Sequence, residues 1–128
     1  MSLKDIVHIM VVDDHITSRM MTVESLQEMG VKNIQIAKDG REAFTKLSTQ
    51  PVHLVISDVF MPDVDGLSLL KAVRGHPKLS KMGFILLTGK RDYEVITKAQ
   101  ALGANNVLAK PIDKPGLRRA IEGVIGRL

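Results

Sequence analysis

Five short apolar runs alternate with segments of helical periodicity along this chain, which predicts an α/β fold: a parallel sheet with helices on both faces. Two further observations support that class. The connections are short and often marked by Gly or Pro, and no internal repeat or linker breaks the pattern, so one domain over residues 1–128 is expected. The 128 residues, 45% hydrophobic and 25% charged, also suffice to bury a proper core.

The elements follow in order. Ile6 to Val12 is apolar and β-branched almost throughout, with His8 as the polar exception, and reads as a buried strand ending in Asp13-Asp14. Ile16, Met20, Val23, Leu26 and Met29 step by three and four, which predicts a helix with those side chains inward and Gly30 as its C-cap. Ile34 to Ala37 is a short second strand, and Asp39-Gly40 a turn. A helix carrying Ala43, Phe44 and Leu47 must stop before Pro51. His53 to Ser57 is the third strand and leads into Asp58, with Pro62 ending regular structure four residues later.

Asp65-Gly66 makes the next turn, and Leu67, Leu70 and Val73 mark a helix running to Gly75. Phe84 to Leu87 is the fourth strand and ends in Thr88-Gly89. Val95, Ile96, Ala99 and Leu102 form a helix closed by Gly103, and Val107 to Ala109 is a brief fifth strand ending in Lys110-Pro111. Leu117, Ala120, Ile121, Val124, Ile125 and Leu128 give an amphipathic closing helix with Pro115 near its start. The seven methionines read as core filling.

Composition narrows the function. With no cysteine, disulfides and thiolate metal sites are excluded. No apolar run reaches the length of about 18 residues that a spanning helix needs, and the N-terminus lacks signal-peptide features, so a cytoplasmic protein is expected. The net charge of +4 lies in the last third: ten cations balance ten carboxylates up to Gly89, whereas eight face four from Lys90 onward. That excess can attract nucleic acid, anionic lipid or an acidic protein. Nucleic acid is not expected, because neither a binding motif nor stacking aromatics accompany it.

The chemistry collects at the carboxyl ends of the strands, where open α/β sheets form their crevice. Asp13 and Asp14 end the first strand, Asp58 the third, Thr88 the fourth and Lys110 the fifth. Three carboxylates brought together cannot all stay ionised without a cation among them. Oxygen ligands alone favour a hard divalent ion, most naturally Mg²⁺. Carboxylate, hard metal, hydroxyl and ammonium together suit phosphoryl transfer, with Asp58 as the nucleophile that becomes an acyl phosphate. Each of these residues taken alone has an ordinary reading as a cap or a surface charge; the joint pattern does not.

Asp13-Asp14, Asp58 followed by Met61-Pro62 and Asp65-Gly66, Thr88-Gly89 and Lys110-Pro111 together resemble the response-regulator receiver domain, and the resemblance covers the whole chain. It is closest in kind to the single-domain, chemotaxis-type members. The resemblance implies a flavodoxin-like (βα)5 fold with strand order 2-1-3-4-5. It implies that Asp58 accepts a phosphoryl group from a phosphohistidine on a sensor histidine kinase or phosphotransfer protein. Asp14, Asp58 and the main-chain carbonyl of Phe60 would ligate Mg²⁺, with Asp13 acting through water. Lys110 would pair with the phosphoryl oxygens, Thr88 would move to hydrogen-bond them, Lys110–Pro111 would be cis, and Gly66 would permit the turn behind the active loop. Such a protein is a switch rather than an enzyme acting on other molecules. It would be a monomer without membrane partners, and its target would meet the Lys90–Leu128 face, a flagellar motor switch protein being one such target.

Three positions depart from the chemotaxis pattern. Val107 stands where the family usually has an aromatic that swings inward, while Phe60 and Lys90 occupy positions that influence phosphoryl lifetime. Lys90, Arg91, Lys98, Arg118 and Arg119 are the cations expected to meet an acidic partner. His15, beside the acidic pair, reads as an exposed helix-start residue able to tune the site, and His8, His53 and His76 show no metal spacing. A haloacid-dehalogenase-type phosphatase would need a second Asp where Phe60 stands. A flavodoxin-like cofactor binder would need a phosphate cradle where Asp13-Asp14 stands. A phosphate sink, a relay intermediate outside motility, or an interaction module that is never phosphorylated remain as alternatives to a chemotaxis regulator.

Overall fold

In a computed structural model of the chain, residues 2–89 and 92–128 are described. Their strands are β1 (His8–Val12), β2 (Asn33–Ala37), β3 (Leu54–Asp58), β4 (Gly83–Thr88) and β5 (Asn106–Ala109), and their helices α1 (Leu3–Ile6), α2 (Ile16–Glu28), α3 (Gly40–Thr49), α4 (Gly66–Gly75), α5 (Tyr93–Ala101) and α6 (Lys114–Ile125). All strand pairs are parallel, in the order β2-β1-β3-β4-β5, which matches the expected class and strand order.

Both faces of the sheet are covered, so successive residues of a strand enter different cores. Met10, Val12, Val55, Phe84 and Leu86 face Leu47, Leu70 and Ala99 of α3, α4 and α5. Ile9, Val11, Ile56, Ile85 and Leu87 face Leu26, Leu117 and Ile121 of α2 and α6. This double burial explains why the central strands read as continuous apolar runs instead of alternating ones.

The register aligns the strand ends. Val12 pairs with Ser57, Asp58 with Leu87, and Thr88 with Ala109. The residues that follow or finish these strands, Asp13, Asp58, Thr88 and Lys110, therefore stand along one edge.

Several local expectations are revised. The first strand starts at His8, because residues 3–6 form α1; Ser2 donates its backbone N–H and its hydroxyl to Asp5 Oδ2, which closes that short helix, and Ile6 is half exposed. In α2 the expected apolar face is rotated: Ile16 and Met20 are exposed at 69% and 46%, while Thr22 and Leu26 are buried. The inward side of its first two turns is claimed by polar contacts of Ser18 and Arg19, described below. Met20 and Met21 are consequently surface residues and not core filling. Asp39 and Asp65 cap helices rather than only turning the chain: their Oδ1 atoms accept from Glu42 N and Ser68 N, each at 2.8 Å. The closing helix ends at Ile125, before Leu128, with Gly126 at φ +104°.

Candidate functional site

Asp58 ends β3, which is buried along its whole length, and its side chain is only 9% exposed. Its main chain is held from two sides. The Ser57 hydroxyl donates to the Asp58 carbonyl at 2.9 Å, and a Cβ on Gly66 would stand 2.2 Å from that same oxygen. Gly66, expected to permit the turn behind the active loop, is required by the close approach of α4 to the β3 end. Among the described non-glycine residues of this loop the positive φ lies at Asp63 (62°).

Asp13 is buried and fully engaged. Its Oδ1 accepts from His15 N at 3.0 Å, its Oδ2 from Lys110 Nζ at 3.1 Å, and its main-chain carbonyl from the Arg19 guanidinium at 3.0 Å. Asp14 differs: its Oδ1 is buried and accepts no hydrogen bond among the described residues, and His15 Nδ1, at 3.2 Å, pairs with it only when protonated. His15 itself is 74% exposed at the start of α2, so it is both the expected surface histidine and a neighbour of the acidic pair.

Lys110 Nζ reaches Asp58 Oδ1 at 3.0 Å as well as Asp13, and its backbone N donates to the Thr88 carbonyl at 2.8 Å. Thr88 is fully buried at the end of β4. The Lys110–Pro111 peptide is cis, as expected. All five polar residues singled out at the strand ends thus belong to one edge, and Lys110 ties three of the strand ends together. Val107 is half buried against the core, and the Phe60 ring is 56% exposed two residues beyond Asp58.

Burial pushes the Asp58 carboxyl above the usual carboxylate range; the Lys110 hydrogen bond opposes this, and Asp13 and Asp14 reinforce it. Burial alone would lower the Lys110 ammonium, but its hydrogen bonds to Asp58 and Asp13 outweigh that and raise it. An acid held up by burial, with neighbouring carboxylates adding to it, and a buried acceptor without a donor among the described residues are what a cation would relieve. One donor atom from each of Asp13, Asp14, His15 and Asp58 lies within 4.8 Å of the others. The residues present therefore fit a hard divalent ion.

Two contacts escaped the sequence reading. Ser18 Oγ accepts from Lys110 Nζ at 2.7 Å, and Arg19 grips the Asp13 carbonyl. Helical spacing alone gave no signal for them: Thr17, polar and adjacent, is exposed, and the positions of Asp13 and Lys110 decide which residues of this turn face the site. On the basic face, Lys98 and Arg118 pair with Glu94 and Glu122 at 3.7 Å each, so that part of the charge excess is internally matched. Lys90 and Arg91 lie outside the described residues.

Comparison with known proteins places residues 9–122 in a match to the response regulator receiver domain. The chain is 43% identical over 128 residues to the "Probable chemotaxis protein CheY" of Rhizobium etli, covering 100% of this chain and 99% of that one. It is 30% identical over 120 residues to the chemotaxis protein CheY-3 of Vibrio cholerae, covering 94% and 92%. Among solved structures, that of Vibrio cholerae chemotaxis protein CheY4 superposes with a TM-score of 0.87 at 31% identity, over 94% of this chain and 100% of that one.

Proposed function

Because the chain belongs to the response regulator receiver domain family, we propose that it is a phosphoacceptor switch in which Asp58 takes a phosphoryl group from a phosphohistidine on a sensor histidine kinase or phosphotransfer protein. An Asp58 carboxylate oxygen attacks phosphorus as the N–P bond breaks, and the electron pair stays on the donor imidazole. The observation that carries this reading is the Lys110 ammonium, 3.0 Å from Asp58 and 3.1 Å from Asp13. It stands beside the attacking oxygen and neutralises charge that grows on the phosphoryl oxygens.

Asp14, Asp58 and the Phe60 carbonyl would hold Mg²⁺ directly, with Asp13 acting through water. When bound, the ion supplies charge neutralisation between carboxylates and phosphoryl oxygens. Thr88, buried at the next strand end, supplies the hydroxyl that answers the new phosphoryl group. The Gly66 approach fixes the β3 end so that the acceptor does not drift from Lys110.

The acyl phosphate adds charge to a buried edge and biases the surface formed by α5, β5 and α6. The chemotaxis names of the two curated relatives support a place in chemotaxis for this chain, acting in the cytoplasm as one receiver unit over residues 1–128. The deciding experiment is phosphotransfer from phosphorylated kinases with and without Mg²⁺, comparing wild type with Asp58→Asn. Labelling that needs both Mg²⁺ and Asp58 is expected; labelling that persists in Asp58→Asn would overturn the assignment.

A further inference from the structure

A lysine ammonium carries three N–H donors, and at Lys110 all three find acceptors: Asp58 Oδ1 at 3.0 Å, Asp13 Oδ2 at 3.1 Å and Ser18 Oγ at 2.7 Å. The first two are carboxylates at strand ends. The third is a neutral hydroxyl near the start of α2, and it makes the shortest of the three contacts.

Charge alone does not set where this ammonium stands. It is a point charge on a flexible four-carbon stem, and a carboxylate on either side serves it equally well. Asp13, Asp14 and Asp58 crowd together, so the cation has competing places to settle. A hydroxyl adds a directional acceptor without adding to that competition. It also sits on a fixed support. The Ser18 carbonyl accepts from the fully buried Thr22 hydroxyl at 3.3 Å, and the adjacent Arg19 is bound to the Asp13 carbonyl at 3.0 Å. The turn of α2 that presents Ser18 is therefore tied to the core and to the strand end.

We propose that Ser18 is a positioning residue for phosphoryl transfer: its hydroxyl holds the Lys110 ammonium at Asp58, where the phosphoryl oxygens arrive, and keeps it from settling between Asp13 and Asp14. Ser18 touches neither the phosphoacceptor nor the donor, and it acts through Lys110 alone. The inference rests on the reading of Asp58 as acceptor and Lys110 as its cation. It extends the set of working residues from the strand ends onto a helix.

The test uses an isosteric pair in the full chain, Ser18→Thr and Ser18→Val, which have the same shape and differ in the hydroxyl. Phosphorylation by phosphoramidate, a small P–N donor, avoids any protein interface. Ser18→Val is expected to lower the maximal rate about three- to tenfold, as loss of part of a hydrogen bond to a charged group allows. The donor concentration at half-maximal rate should stay close to wild type, and Ser18→Thr should restore most of the rate. The Lys110 ammonium ¹H–¹⁵N signal, protected while all three protons are bound, should broaden in Ser18→Val and persist in Ser18→Thr. Equal rates for Thr and Val, or an unchanged ammonium signal in Ser18→Val, would overturn the proposal. Asp58→Asn and Lys110→Ala run alongside. If they retain full labelling, the underlying reading of the site fails; if they lose it while both Ser18 variants match wild type, only the role of Ser18 fails.

Discussion

Replacing Asp58 by Asn should stabilise the metal-free fold at neutral pH, although it removes the proposed phosphoacceptor. Asp58 lies within 4.8 Å of Asp13 and Asp14 by the nearest donor atoms and 3.0 Å from Lys110. With an effective dielectric of about 20, the lysine attraction at 3.0 Å returns about 5.5 kcal/mol, and it outweighs the repulsion from Asp13 and Asp14. The cost of the ionised carboxylate therefore comes chiefly from its burial, and of the several kcal/mol that desolvation takes from a buried ion about 1–2 kcal/mol is left unmatched. Asn has nearly the same shape, carries no charge, and still offers Lys110 an acceptor.

The pH dependence follows from the direction of the shift. The Asp58 carboxyl is raised above its ordinary value of 3.8, chiefly by burial, so the fold favours its protonated form. Wild-type stability from this group is fully present below 3.8 and is lost as pH rises through the folded-state value. The advantage of Asp58→Asn should thus be small in acid, open as pH rises above that point, and reach about 1–2 kcal/mol by neutrality. Urea unfolding of both proteins with a metal chelator, across pH 3.5 to 7.5, measures it. Adding Mg²⁺ should stabilise wild type more than the variant and narrow the gap. A variant less stable than wild type at neutral pH without metal, or a gap that widens on acidification, would refute this account of the site.

Gly66→Ala puts a methyl group 2.2 Å from the Asp58 carbonyl oxygen and 2.9 Å from Leu86 Cδ2, so either α4 or the β3 end must give way. It should cost about 1–3 kcal/mol in urea unfolding, and the accompanying shift of the acceptor should slow phosphotransfer by about 10- to 100-fold. Phe60→Asn replaces an exposed ring beside the acceptor with a group able to orient water, and the acyl phosphate should then hydrolyse severalfold faster. An unchanged decay of acid-labile phosphate would show that the ring does not screen Asp58.

The fold was legible because each strand is short, apolar and stopped by a marked residue, and the helices between them keep a clear period. The candidate site was legible for a related reason: parallel register carries residues from different strands to one edge, so chemistry at each strand end becomes chemistry in one place. What escaped depends on rotation and not on order. The face of α2 was misjudged because Ile16 and Met20 fit the helical period as well as Thr22 does. Only the position of Lys110 and Asp13 decides that Ser18 and Arg19 turn inward and leave Ile16 outside. Gly66 was read as a turn residue because Asp-Gly is a turn signal, whereas its requirement comes from an oxygen eight positions earlier. The strand starting at Ile6 was misread because nothing in the apolar run distinguishes a residue of α1 from one of β1; the Ser2–Asp5 contacts make that distinction.

The predicted gain in Asp58→Asn has a structural corollary. A cluster of carboxylates at one edge is costly, and its cost must be carried by packing elsewhere. Here the two cores meet at the sheet, and the strands that end in Asp13, Asp58 and Thr88 bury side chains on both faces. Those strands cannot shift to relax the repulsion without opening a core. Lys110 directly follows the edge strand β5, whose residues are only half buried or exposed, so the cation is the part of the site with room to adjust. A tether from α2 to that cation acts at the one strand end whose packing leaves its position open. Ser18 meets Lys110 there, which is why its hydroxyl, rather than a further carboxylate, has leverage over the site.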